Sequence, residues 1–211
     1  FQEDGAQEIL DRHLNKNLFI TCDETVVEHA DVVCFITGTP IDEHLNPRVQ
    51  DIIRIIQYYE KRLQPDQLII LRSTIYPGTT RLIENILQKE SQIRKIAFCP
   101  ERIQQGKGIR EIFTLPQLIS ATSPVAEQEA VALFSKITPK TIILTPEEAE
   151  LAKLMTNSWR YLQFAIANQF YMMATEFGYD FHKIFAAMTE DYPRARSFAR
   201  PGLAAGPCLF K

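Results

Sequence analysis

Lys153 and Asn157 stand four residues apart, as K-x-x-x-N, and so share one face of any helix that contains them. An ammonium can stabilise a developing alkoxide or exchange a proton with it, and a neighbouring carboxamide can hold the same oxygen. The spacing equally suits a structural pair satisfied by main chain or by Glu150. Cys208 lies in Gly206-Pro207-Cys208, a loop composition. A thiol there is a nucleophile where cations such as Lys153 lower its pKa, and an ordinary loop cysteine otherwise. Glu101, after Pro100, is a candidate base for water or a partner for a ribose hydroxyl; an Arg-paired carboxylate is the alternative. Thr74 is a candidate to hold a water or a nicotinamide-ribose oxygen, or else it caps a helix. Thr39, before Pro40, is a cofactor contact or a turn residue. His13, His29, His44 and His182 are scattered through polar surroundings and read as surface residues. The four cysteines have no metal-ligand spacing, so no metal site is expected. Cys34 and Cys99 sit inside apolar runs and read as core thiols.

These residues need elements to position them. Lys153 and Asn157 fall in 147–177, a stretch without Pro or Gly and rich in Ala, Leu, Met and Glu, which predicts one long helix. Thr145-Pro146 supplies its start and Gly178 its stop. The stretch is apolar on most of its circumference, which predicts burial on several sides. Lys153, Asn157 and Arg160, at i, i+4 and i+7, make a polar stripe that either meets acids or lines a site for an oxygen-rich ligand.

Upstream, apolar runs at 18–22, 31–36, 67–72, 95–99, 117–121 and 141–144 predict strands. Helical patterns at 5–15, 24–28, 47–63, 79–89 and 124–137 lie between or before them. Alternation of this kind predicts a doubly wound parallel sheet. Ligands of such sheets bind beyond the carboxyl ends of the strands. Three of those ends carry polar chemistry: Thr37-Gly38-Thr39-Pro40, Ser73-Thr74 and Pro100-Glu101-Arg102. A G-x-G-x-x-G turn is absent, and Gly106-Lys107-Gly108 is not one. The expectation is a partial nucleotide-binding domain over 1–145 without its first βαβ unit. Residues 146–211 follow as a helical region, with a helix capped by Asp180 running to about 190.

The chain has 211 residues, 45% hydrophobic and 23% charged, with net charge −3. That is globular composition with material for a core, and its slight acidity argues against nucleic acid or an anionic membrane as partner. Charges inside 147–177 argue against a membrane span. The N-terminal FQEDGAQEIL is polar, so no signal peptide is expected, and cysteines without C-x-x-C or metal-ligand spacing fit a reducing cytoplasm.

Five segments together resemble the UDP-glucose/GDP-mannose dehydrogenase family of nucleotide-sugar 6-dehydrogenases: ADVVCFITGTP (30–40), RSTIYPGTT (72–80), CPERIQQG (99–106), EAELAKLMTNSWRYLQFAIAN (148–168) and RPGLAAGPCLFK (200–211). They run in family order over nearly the whole chain. The resemblance implies a partial Rossmann domain, then a long central helix in a dimerising helical domain, with the family's second nucleotide-sugar domain not included. It implies oxidation of a sugar C6 alcohol to a carboxylate by NAD in two steps. Cys208 would form a thiohemiacetal and then a thioester. Lys153 and Asn157 would stabilise the C6 oxygen, Glu101 would act as base, and Thr74 would orient water. Thr39, Thr74 and Lys211 would contact NAD; Glu101, Arg102 and Arg160 would join Lys153 and Asn157 on the substrate. Asn157-Ser158-Trp159-Arg160 and Tyr192-Pro193-Arg194 resemble the UDP-N-acetylhexosamine branch, which favours UDP-N-acetylglucosamine or UDP-N-acetylmannosamine over UDP-glucose or GDP-mannose. The chain departs from the family pattern at Ala204-Ala205, where adjacent glycines are usual, and at Gln105, where many UDP-glucose enzymes have glutamate. The rival enzyme is a β-hydroxyacid dehydrogenase, which uses a K-x-x-x-N pair without a cysteine. The rival without chemistry is a binding or dimerisation module. The 211 residues alone are expected to be inactive and to form a homodimer through the long helix.

Overall fold

Short apolar runs too continuous for a half-exposed strand need cover on both faces, and here they receive it. The computed structural model describes residues 3–39, 41–44, 46, 48–90 and 92–202, so the expected roles of Cys208 and Lys211 lie outside the described residues. The chain forms two compact units, Phe1–Pro40 with Pro47–Lys153 and Ile41–Asn46 with Leu154–Lys211.

In the first unit, β1 (Val32–Phe35), β2 (Leu68–Leu71), β3 (Ile96–Phe98), β4 (Gln117–Ala121) and β5 (Thr141–Ile143) form one sheet in that order. β1, β2 and β3 are parallel, with Val33 opposite Ile69 and Ile70 opposite Ala97. Helices α2 (Val49–Glu60) and α3 (Thr79–Glu90) cover one face. Ile52 and Ile56 of α2 and Ile83 and Leu87 of α3 pack there on Phe35, Ile69, Leu71 and Phe98. Helix α5 (Pro124–Phe134) covers the other face, setting Ala126, Ala130 and Phe134 on Leu68, Ile70, Ala97 and Ile119. All four β2 side chains are buried, each worth about 1.5–3 kcal/mol of transfer free energy.

Two expectations about the strands are corrected. β4 is antiparallel to β3, with Ala97 opposite Ala121, and parallel to β5. The connection from Cys99 to Pro116 folds only the short α4 (Gly108–Ile112) and re-enters the sheet at the edge it left, so β4 must run backwards. Residues 18–22 are not a strand. Leu18 makes one isolated bridge to Leu14, and Phe19 and Ile20 stand 66% and 78% exposed. An apolar run becomes a strand only where a ladder partner exists, and among the described residues none faces this one. Before it, α1 (Ala6–His13) buries no side chain.

Helix α6 (Pro146–Glu176) is a single helix of 31 residues, begun in the first unit and continued through the second. At its start the Thr145 N–H and hydroxyl both donate to Glu148 Oε2 at 2.8 Å, while Glu148 N–H reaches back to Thr145 Oγ1: a capping box. At its end Gly178, with φ 75°, takes the left-handed turn while Tyr179 N–H bonds the Ala174 carbonyl at 2.8 Å and Gly178 N–H that of Thr175 at 3.0 Å. Burial on several sides does not follow. Met155, Trp159, Leu162, Met172 and Met173 are all exposed. In the second unit α7 (Phe181–Thr189) starts under an Asp180 cap and meets Tyr171 of α6 through Phe181, ring centroids 5.8 Å apart.

Candidate functional site

The carboxyl ends of β1, β2 and β3 are tied to one another by main chain. Arg72 N–H donates to Phe35 O at 3.0 Å, Cys99 N–H to Leu71 O at 2.9 Å and Glu101 N–H to Arg72 O at 3.1 Å. Ser73 Oγ donates to Thr37 O at 2.5 Å. The polar residues expected at these three ends therefore share one edge of the first unit.

Arg72 is the cation at its centre, and sequence reasoning gave it no role. Its side chain is only 11% exposed. One guanidinium nitrogen donates to Cys99 O at 3.1 Å and to Gln117 Oε1 at 3.2 Å; the other pairs with Glu101 Oε2. The guanidinium carbon lies 5.1 Å from the centre of the Phe134 ring. A planar fork with this many fixed acceptors holds one geometry. Glu101 Oε1 in turn accepts from Arg102 N–H at 2.7 Å and Ile103 N–H at 2.9 Å. Both carboxylate oxygens of Glu101 thus have partners on its own side of the edge. The signal that could have found Arg72 is a cation closing the otherwise apolar run QLIILR.

Lys153 comes to the same edge. Its Nζ donates to the main-chain oxygen of Glu101, not to the carboxylate. Glu150, three residues earlier, is spoken for elsewhere. Fully buried, it accepts from Gly78 N–H at 2.6 Å, from Thr80 N–H at 2.8 Å and from Thr80 Oγ1 at 2.6 Å. It caps α3 and roots the start of α6. Asn157 is buried and lies one turn beyond Lys153 on the same face of α6; Arg160 is half-buried.

The remaining expected residues fall as follows. Thr39 and Thr74 are half-buried after β1 and β2. Arg102 turns its guanidinium to the Pro116 carbonyl, and burial holds its pKa below the ordinary arginine value. Cys99 is a core thiol whose pKa burial pushes up to about 12. Cys34, expected in the core, is exposed instead, because β1 is the edge strand. Farther along α6, Asn168 brackets Gly202: its Oδ1 accepts from Gly202 N–H at 2.8 Å and its Nδ2 donates to Gly202 O at 3.0 Å. That clamp holds the segment leading to residues 203–211 against α6.

The family model described as "UDP-glucose/GDP-mannose dehydrogenase family, NAD binding domain" matches residues 1–138, and that family's central domain matches 147–211. The chain belongs to the UDP-glucose/GDP-mannose dehydrogenase family. It is 29% identical to a UDP-N-acetyl-D-mannosamine dehydrogenase of Methanocaldococcus jannaschii, over 87% of this chain and 43% of that protein. It is 26% identical to a UDP-N-acetyl-D-glucosamine 6-dehydrogenase of Pseudomonas aeruginosa, over 87% and 45%. Among solved structures, a UDP-D-ManNAc dehydrogenase from Pyrococcus horikoshii matches with a TM-score of 0.84 at 25% identity, over 96% of this chain and 49% of that one. The chain spans about half the length of these relatives.

The match to the family's NAD binding domain spans this edge. The Thr37 hydroxyl oxygen is buried with no hydrogen-bond partner, and a side chain at Gly38 would meet nothing within 4 Å, so the strand end is open beside an unsatisfied polar atom. The 211 residues contain no G-x-G-x-x-G, so they hold no pyrophosphate turn of that type. Among the described residues no helix is long and apolar enough to cross a membrane.

Proposed function

We propose that the protein containing this chain oxidises the C6 hydroxyl of a nucleotide sugar to the carboxylate, with UDP-N-acetylmannosamine or UDP-N-acetylglucosamine as substrate. The observation that carries this reading is the placement of Lys153 on the main chain of Glu101 at the carboxyl edge of the sheet, in a chain of this family. Residues 1–145 serve the cofactor and 146–211 the substrate and the subunit contact.

NAD, when bound, accepts one hydride in each of two oxidations. Lys153, as the neutral amine, takes the proton of the C6 hydroxyl as the aldehyde forms and then, as the ammonium, donates to the aldehyde oxygen, while Asn157 on the same helix face holds that oxygen. The Cys208 thiolate adds to the aldehyde carbon to give a thiohemiacetal, whose oxidation leaves a thioester on sulfur. Thr74 orients a water, Glu101 takes its proton, and hydrolysis releases the carboxylate and the free thiol. For that step one Glu101 oxygen must exchange a present partner for water, and Arg72 keeps the other in place. Thr39 and Lys211 contact NAD; Arg102 and Arg160 face the anionic substrate.

The enzyme works as a cytoplasmic homodimer. The exposed apolar residues along α6 support the dimer, since Met155, Trp159, Leu162, Met172 and Met173 are costly to leave in water. Cys22, Cys34 and Cys99 all being free fits a reducing compartment.

The deciding experiment follows NADH release by the complete enzyme across a panel of UDP- and GDP-sugars, with Cys208→Ser beside the parent. The reading requires two NADH per UDP-N-acetylhexosamine and no second oxidation in Cys208→Ser. Full two-step oxidation by Cys208→Ser would sink the thioester route.

A further inference from the structure

The Gly106-Lys107-Gly108 segment, which is no dinucleotide turn, has a different occupant. The Glu3 carboxylate sits in it. Oε2 accepts from Gly106 N–H at 2.8 Å; Oε1 accepts from Gly108 N–H and, at 3.3 Å, from Ile109 N–H. Both glycines suit this contact. Gly106 has φ 85°, which aims its N–H inward at no steric cost. A Cβ at Gly108 would lie 2.8 Å from Ile103 Cδ1 and 3.1 Å from Glu3 Oε1, so a side chain there makes the Ile103 and Glu3 side-chain ends shift.

We propose that Glu3 is a positioning residue of the candidate site: its carboxylate locks the loop from Glu101 to Gly108 and so fixes the carbonyl that receives Lys153. The inference rests on the reading of Glu101 and Lys153 as site residues. The contacts are continuous. Lys153 Nζ meets Glu101 O. The Glu101 carboxylate holds the N–H groups of Arg102 and Ile103. Lys107 N–H closes on Gln104 O at 3.0 Å, and Gln104 N–H is held by Glu111 Oε2 at 2.6 Å. The Gly106 and Gly108 N–H groups end on Glu3. Glu3 lies about a hundred residues from the loop in sequence and precedes a helix with no buried side chain. Its carboxylate therefore ties the loop to a segment the sheet core does not need.

The test compares Glu3→Ala, Glu3→Gln and Gly108→Ala with the parent chain in three measurements. These are amide hydrogen exchange, the amide proton resonances of Gly106 and Gly108, and the rate at which an acylating reagent modifies Lys153. Exchange at Gly106, Gly108 and Ile109 is expected to quicken by about tenfold or more in all three variants. The two glycine resonances move upfield and Lys153 modification accelerates severalfold. Added formate, a free carboxylate, restores the resonances and the slow Lys153 reaction in Glu3→Ala but not in Gly108→Ala, where the added methyl crowds the carboxylate. The lock is overturned if exchange at these three amides is unchanged. It is equally overturned if they open while Lys153 keeps its rate, or if formate restores nothing. Amides of Ile69 and Cys99 report the sheet; if they open as far as the loop in every variant, Glu3 supports the whole fold and the proposal falls. No step needs turnover, so an inactive sugar panel would remove the proposed function and leave the lock standing or falling on its own readouts.

Discussion

Glu150 accepts both the main-chain N–H and the side-chain hydroxyl of Thr80, at 2.8 and 2.6 Å, across 70 residues of sequence. A carboxylate from one helix thus serves as the N-terminal cap of another, where the macrodipole favours negative charge. Lys153 lies less than one turn beyond, so the same bonds that root α6 also aim its ammonium.

Glu150→Ala should destabilise the chain by about 3 kcal/mol, since it strands the N–H groups of Gly78 and Thr80 and the Thr80 hydroxyl in a buried place. Thr80→Val removes one partner and should cost about 1 kcal/mol. Urea midpoints read both, and the double variant should cost less than the sum. A midpoint unmoved in Glu150→Ala would mean that α6 is rooted by apolar packing alone.

Lys153→Met in the complete enzyme should lower kcat by about 100- to 1000-fold, with a much smaller change in KM, because the ammonium matters most when charge develops on the C6 oxygen. Steady-state kinetics with the preferred nucleotide sugar decide it. A pure KM effect would make Lys153 a binding residue.

Gly178→Ala should cost about 1 kcal/mol, and Gly178→Val more, through the left-handed backbone alone. Space is not the obstacle, since a Cβ there meets nothing within 4 Å. Thermal melts with a Gly38→Ala control, at a position without positive φ and with nothing within 4 Å of its Cβ, would show it. An unchanged Tm for Gly178→Ala would show that the last turn of α6 frays at no cost.

The thiols should separate by environment. Cys22 is exposed; Cys34 is exposed too, but the protein packed behind it still raises its pKa; Cys99 is buried and raised to about 12. Iodoacetamide on the native chain in mildly alkaline buffer should label Cys22 first, Cys34 next and Cys99 only on unfolding, as peptide mass spectrometry would read. The linkage has a definite sign. The folded Cys99 pKa lies above the ordinary 9.0, so its contribution is intact below pH 9.0 and is lost as pH climbs from there toward about 12. Cys99→Ala should flatten that alkaline decline.

The sequence made the parallel strands legible because VVCF, LIIL and IAF are apolar without interruption, and the long helix legible because nothing between Pro146 and Gly178 can break it. Residues 18–22 carry the same apolar signal, yet a strand is a property of two segments, and composition reports only one. The direction of β4 was hidden for a similar reason: it depends on where the preceding connection re-enters the sheet. At the site, Lys153 and Glu101 were legible as types, but not that the ammonium would seek a main-chain oxygen. Arg72, Glu150 and Glu3 were missed because each looks like a surface charge until burial and partners are known. In the sequence Glu150 reads as one alternative to main chain for satisfying Lys153 and Asn157, but the donors whose bonds it accepts lie at the start of another helix.

The reversal of β4 has a consequence for how such a protein can diversify. Because the chain leaves β3 and enters β4 at one edge, residues 99–116 never have to span the sheet. Insertions or exchanges there change neither strand register nor crossover handedness. A lineage can rewrite the surface beside Glu101 and Lys153 while the folding problem solved by β1, β2 and β3 stays the same.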